Sequence, residues 1–124
     1  MEAYKLAYDF LYKSIPLFTV GTSFQEIAEK VPAVPQIYKA NRYAVIAHGV
    51  GMSDEWPAIF FADTSGTGFG NIPGTLEENM VMTMEASFGR EDGREQVKLE
   101  EQLLITVNGP EGLTRGPYDR RFLD

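Results

Sequence analysis

The sequence predicts an α+β domain with its helices first and its sheet after them. Three patterns predict it. Residues 2–15 carry apolar side chains at three- and four-residue steps, Ser23-Phe24-Gln25-Glu26 announces a second helix, and Asn79–Ser87 and Gln96–Thr106 alternate inward and outward as strands do. In the first helix Ala3, Leu6, Ala7, Phe10, Leu11 and Ile15 form the stripe that packs, leaving Glu2, Lys5, Asp9 and Lys13 largely to solvent. Pro16 ends it, because the residue before a proline is pushed away from α geometry. The second helix opens on a capping box, in which the Ser23 and Glu26 side chains satisfy each other's backbone donors. Phe24, Ile27, Ala28 and Val31 give it an apolar face, Pro32 and Pro35 close it, and Gln36–Arg42 suits a further short turn of helix.

From Tyr43 the pattern changes. Tyr43–Ala47 reads as a short buried strand that leads into His48-Gly49-Val50-Gly51, where the glycines let backbone approach the ring closely. Residues 52–78, rich in Gly, Pro and polar side chains, read as one long irregular loop, a site wall or a pairing element rather than a connector. In the strand that follows, Val81, Thr83 and Glu85 share one face, while Met80, Met82 and Met84 share the other. Asp92-Gly93 is a hairpin signal, with Gly free to take positive φ, and Gln96–Thr106 is the return strand. The tail, 108–124, reads as loop with fraying ends.

A length of 124 residues suits a single domain. Eleven basic against eighteen acidic residues give a net charge of −7, which argues against a nucleic-acid or anionic-membrane partner, since both are bound through clustered Lys and Arg. The absence of Cys excludes disulfides, Cys-ligated zinc, iron–sulfur clusters and thiol nucleophiles. No secretory signal opens the chain and no run approaches the roughly 20 apolar residues of a membrane span, so a soluble, cytoplasmic protein is expected.

His48 is the only histidine, so any triad must use it and any metal site must be completed with carboxylates. Glu85 interrupts the apolar run Val81-Met82-Thr83-Met84, and Glu100 and Glu101 fall inside the other strand, pointing to opposite faces. If Glu101 joins Val97, Leu99, Leu103 and Ile105, then Glu100 joins Lys98, Gln102, Leu104 and Thr106. A carboxylate in an apolar strand is costly to desolvate unless paired, hydrogen-bonded or bound to a metal. Two readings stay open from composition alone. One imidazole with two carboxylates is a donor set for Mn, Fe, Co or Zn; equally, a strand Glu often sits solvated on an open face and a lone His is often only packed.

The local strings resemble those of the creatinase/methionine-aminopeptidase superfamily of "pita-bread" metalloenzymes, which includes aminopeptidase P and prolidase. The resemblance covers about residues 44–116 and extends more loosely through the helices. His48-Gly49-Val50-Gly51 is similar to the family's HG(I/V)G string, Asn79–Glu85 to its "GMvftiE" strand, Lys98–Thr106 to "vriEdxvlVT", and Asn108–Thr114 to "dGpexLT". The four stand in the family's order, with His48 and Glu85 separated by 37 residues and Glu85 and Glu100 by 15. The resemblance implies N-terminal helices packed on a curved, mainly antiparallel sheet, and His48, Glu85 and Glu100 as metal ligands with Glu100 bridging two ions and shuttling the proton. It implies divalent metal as the family's cofactor and a small-molecule or peptide substrate.

Departures from the family pattern shape the expected function. The family's two further Asp ligands lie upstream of the His on a hairpin; here the only Asp before His48 is Asp9, within the first helix. The chain is therefore expected to be a truncated C-terminal part of a pita-bread catalytic domain, 1–124, with an incomplete dinuclear site, inactive and poor in metal alone. Asp54, in Met52-Ser53-Asp54-Glu55-Trp56-Pro57, stands where the peptidases place a substrate-contacting His, which makes it a second candidate catalytic residue. That exchange counts against peptide hydrolysis and is reminiscent of non-peptidase members such as the dimethylsulfoniopropionate lyase branch. A non-catalytic binding domain on the same fold is the other alternative. Asn79 in place of the family's Gly suits a left-handed turn. Gly66–Gly70 lacks the Lys and helix of a phosphate loop, Ser53 and Ser65 lack a His partner once His48 binds metal, and Trp56, Phe60 and Phe61 suit either a pocket wall or a packed anchor. Half a sheet bares strand edges, so a homodimer is expected, with segments of the 52–78 loop exchanged.

Overall fold

The computed structural model describes residues 1–64, 70 and 72–124. Helix α1 (Glu2–Ser14) buries Ala7, Phe10 and Leu11 along the expected stripe. Pro16 does not stop the rotation abruptly. It sits in the first turn of a 3-10 segment, Ile15–Leu17, where its missing N–H costs nothing. Helix α2 (Phe24–Lys30) is capped by Ser23, whose hydroxyl accepts from the Glu26 N–H at 3.0 Å. Only half of the capping box forms, because the Glu26 carboxylate turns outward to Lys30 at 2.5 Å. Helix α3 (Gln36–Lys39) is a single turn that buries Tyr38.

Five antiparallel strands make one open sheet in the order β2-β1-β3-β4-β5: β1 Val45–Gly49, β2 Ala58–Phe60, β3 Val81–Gly89, β4 Gln96–Thr106 and β5 Gly109–Gly112. Helix α1 lies across β3 and β4. Met82, Met84, Ala86 and Phe88 of β3, with Leu103 and Ile105 of β4, meet Phe10 and Leu11 there in a common core. The other face of the same strands carries Thr83, Glu85 and Ser87 opposite Gln102, Glu100 and Lys98. Period-two alternation thus divides β3 as expected.

Several expectations need correction. His48 lies within β1 rather than after it, because the strand continues until Gly49 pairs with Met82. The 52–78 segment is not one irregular loop: it contributes β2, a 3-10 turn at Ala62–Thr64 and the buried Leu76. Its last part is held by backbone, since Leu76 donates to Thr22 O and accepts from Gly21 N–H while Thr75 bridges Ser23. The string Gly66–Phe69 and Ser65 lie outside the described residues. Gly93 does not adopt positive φ; its N–H closes the turn onto Arg90 O at 3.1 Å, and Arg90 clamps Asp92 through two hydrogen bonds of 2.8 and 2.9 Å. Asn79, by contrast, sits at φ 71°, as a residue standing for glycine should.

The tail does not fray. After β5 it returns to α1, where Tyr118 meets Tyr8 and Tyr12 edge-on at 5.3 and 5.8 Å and Phe122 meets Tyr4 at 5.2 Å. The Tyr4 hydroxyl accepts the Asp119 N–H at 2.8 Å, and Asp119 caps a last 3-10 turn, Arg120–Phe122. Tyrosines at four-residue steps on α1 supply this dock, so aromatic burial fixes a segment whose Gly and Pro content alone suggests loop. Among the described residues no helix is long and apolar enough to cross a membrane.

Candidate functional site

The open face of β1, β3 and β4 brings three of the four predicted site residues together. Register does most of it. Glu85 stands directly opposite Glu100 in the β3–β4 ladder, and His48 stands opposite Thr83, one diagonal step from Glu85. The His48 Nε2 lies 3.7 Å from Glu85 Oε1. The His48 Nδ1 is 2.9 Å from the Gly49 carbonyl, which can only accept, so Nδ1 carries a proton. In the neutral ring Nε2 therefore presents its lone pair to a carboxylate, acceptor against acceptor, a pairing that calls for a cation or a proton between them.

Glu85 is 4% exposed. Its Oε2 is a buried oxygen with no hydrogen-bond partner among the described residues. The other oxygen is held by the Lys98 ammonium at 2.7 Å, and the same ammonium holds Glu100 Oε1 at 2.5 Å. Lys98 is thus the group that lets two carboxylates stand opposite each other. It draws the Glu100 carboxyl below the ordinary carboxylate range, against a desolvation that pushes the other way. Lys98 itself is pushed up by hydrogen bonds to Glu100 and Glu85, so it stays charged. The sequence places Lys98 on this face through its two-residue step from Glu100, but its role as a bridge depends on the cross-strand partner.

A cavity of about 310 Å³ adjoins this cluster, lined by Tyr43, Glu55, Ser87 and Gln96 beside Glu85 and Lys98. Burial, with Glu55 and Glu85 nearby, pushes the Tyr43 phenol up and keeps it protonated. The sequence reading placed Thr83 on the Glu85 face but gave Tyr43 and Glu55 no site role; the fold brings those two beside Glu85.

Asp54, the fourth predicted site residue, is not joined to the cluster. It is exposed, at φ 58° in the turn after β1, with its N–H on Gly51 O at 3.1 Å, and no hydrogen bond or ion pair links it to His48, Glu85 or Glu100 among the described residues. The glycines before it act differently from expectation. A Cβ on Gly49 would meet the Trp56 carbonyl oxygen at 2.2 Å, so the close approach is to the Trp56–Pro57 backbone and not to the His48 ring. Nothing lies within 4 Å of a Cβ on Gly51. Phe61 is a packed anchor against Phe10 at 5.6 Å, with Arg42 stacked over its ring at 4.1 Å, whereas Trp56 is 57% exposed.

A hard or borderline divalent ion suits these donors: an imidazole nitrogen, an unspent buried carboxylate oxygen and a second carboxylate. As they stand, no three such side chains among the described residues close around one point. The Lys98 ammonium lies between the two carboxylates, where it spaces them. Asp9, the only Asp upstream of His48, sits on α1.

Comparison with known proteins follows the same lines. A sequence model of metallopeptidase family M24 matches residues 1–107. A dimethylsulfoniopropionate lyase, DddP, of Roseovarius nubinhibens is 34% identical over 113 residues, which is 91% of this chain and 25% of that protein. Prolidase from Pyrococcus furiosus superposes with a TM-score of 0.69 at 23% identity over 94% of this chain and 33% of that one. An X-Pro aminopeptidase from Thermotoga maritima gives 0.66 at 21% identity, covering 94% of this chain and 31% of its own. The chain thus spans about a quarter of the curated relative and a third of each structure. The structural likenesses show the fold: helices on an antiparallel sheet of the pita-bread kind.

Proposed function

The chain belongs to metallopeptidase family M24, and from that premise we propose that the open face of β1, β3 and β4 is one part of a divalent-metal hydrolase centre of the aminopeptidase P/prolidase kind. The observation that carries the reading is the buried, hydrogen-bond-deficient Oε2 of Glu85, on a residue set in register with Glu100 whose other oxygen, Oε1, lies 3.7 Å from His48 Nε2. His48, Glu85 and Glu100 would hold the ion. A bound divalent ion there supplies Lewis acidity and acidifies water. The chain's own residues supply the rest. Glu100, whose carboxyl already lies below the ordinary range in the chain without metal, is the proton acceptor, and the Tyr43 phenol and Glu55 border the adjoining cavity as donor and acceptor for substrate. The described residues offer three donors, fewer than a dinuclear centre needs, so this chain binds at most one ion and does not turn over substrate unaided. Metal analysis of freshly purified protein tests this: one equivalent or less is expected, and two tightly held equivalents per chain would refute it.

A second reading is favoured by one observation, the 34% identity to a dimethylsulfoniopropionate lyase over nearly the whole chain. Asp54, a carboxylate where the resemblance places a peptidase histidine, is then the residue that distinguishes lyase from peptidase chemistry. Presenting Xaa-Pro dipeptides and dimethylsulfoniopropionate separately, and scoring competition with Mn²⁺ binding, separates the readings by which compound engages the site. We also propose self-association through the sheet edges. Light scattering showing only a monomer at micromolar concentration would remove that element.

A further inference from the structure

We propose that Lys98 is the resident cation of this face: its ammonium holds Glu85 and Glu100 together in the metal-free chain and competes with a divalent ion for their oxygens. This rests on the metal-centre reading above and assigns to Lys98 a role outside it. Like charges directly opposite in an antiparallel ladder destabilise it. Here the pair is imposed by register, and one member, Glu85, is 4% exposed, where water cannot screen it. A positive group between them relieves this, and among the described residues Lys98 is the one that stands there. The Arg42 guanidinium is committed to Asp63 and to the Phe61 ring. His48 at 3.7 Å is beyond hydrogen-bond reach of Glu85. Lys98 reaches both carboxylates, at 2.7 and 2.5 Å, from the same strand face as Glu100.

Two further features make this an exchangeable occupant rather than a permanent bridge. The Lys98 side chain is 49% exposed, so the ammonium can swing into water without opening the core. It also satisfies the site incompletely, taking one oxygen of each carboxylate and leaving Glu85 Oε2 without a partner. A divalent ion entering as Lys98 leaves would use that oxygen and the His48 Nε2 as well. The chain therefore closes its carboxylate pair against metal by default, and metal enters only by displacing the lysine.

Lys98→Met tests this, with Lys98→Gln as the alternative should the first variant fold poorly. Calorimetric titration with Mn²⁺ alone, and with Zn²⁺ alone, measures affinity, while thermal unfolding in EDTA measures the metal-free state. We expect Lys98→Met to bind at least tenfold more tightly than the unsubstituted chain, to melt earlier in EDTA, and to recover when metal is added. Adding Glu100→Gln should restore the EDTA midpoint and abolish the gain in affinity. Equal or weaker binding by Lys98→Met, with the unsubstituted chain also binding, overturns the competition while leaving the metal-centre reading intact. No binding by either protein overturns both, whatever the melting behaviour.

Discussion

Glu100 and Glu101 are neighbours in one strand, and they live in opposite chemistries. Glu100 faces the open side of the sheet, half-exposed, and shares the Lys98 ammonium with Glu85. Glu101 faces α1, is 8% exposed, and is held by the Tyr118 hydroxyl at 2.9 Å among Tyr8, Tyr12 and the returning tail. One side of β4 keeps charge available by opposing it with a half-exposed cation. The other neutralises the cost of a buried carboxylate with a fixed phenol and turns it into a clasp that holds the C-terminal segment. A carboxylate's role in this protein therefore follows from the face it points to, a single residue of register apart.

Substitutions can break that contrast, starting with the covered face. Phe88→Ala, which removes a fully buried ring stacked edge-on against Phe10 at 5.3 Å, should cost about 3–5 kcal/mol in denaturant unfolding. Gly49→Ala should come next, at about 2 kcal/mol or more, because backbone and not a flexible side chain blocks the new methyl. Gly51→Ala, with open space around it, is the matched control and should be nearly neutral; equal losses at both positions would sink the account. Tyr118→Phe strands a buried carboxylate oxygen and should cost about 1–3 kcal/mol, with earlier proteolysis of the tail as its local sign. Glu100→Gln should be smallest in stability, under about 1 kcal/mol, since its ion pair is half-solvated. If Glu100→Gln proves as damaging as Tyr118→Phe, the two faces are not distinct in the way described.

A pH titration sharpens the same comparison. Burial, and then the hydrogen bond to Glu101, push the Tyr118 phenol above its ordinary value of 10.0. A raised folded-state value means that the clasp's contribution is complete below pH about 10, where the unfolded phenol begins to ionise, and is lost as pH climbs toward the folded value. Unfolding free energy should therefore fall in alkali, and Tyr118→Phe should flatten that fall. An unchanged alkaline slope in the variant would show that the clasp is not responsible.

Much of this was readable before any coordinates. The 3.6-residue stripe of α1, the Ser23 cap, the alternation of β3 and β4, and the left-handed Asn79 are local properties, carried by side-chain spacing and backbone sterics that neighbours in sequence impose. The division of Glu100 from Glu101 was readable for the same reason. The tail and the 52–78 segment were misread because Gly and Pro report local conformation, while what holds these segments is long-range: the tyrosine dock on α1 and the backbone pairing of Thr75 and Leu76 with residues before α2.

The candidate site divides the same way. Sequence order alone determined which residue types stand on one strand face, and the family resemblance made His48, Glu85 and Glu100 the candidate donors. Only the tertiary structure decided that Glu85 and Glu100 are directly opposed, that Lys98 stands between them, and that Asp54 stays apart in its turn. The physical reason is that periodicity fixes a side chain's direction within its own strand. The distance between charges on different strands depends on register, which is set by the packing of the whole sheet against α1.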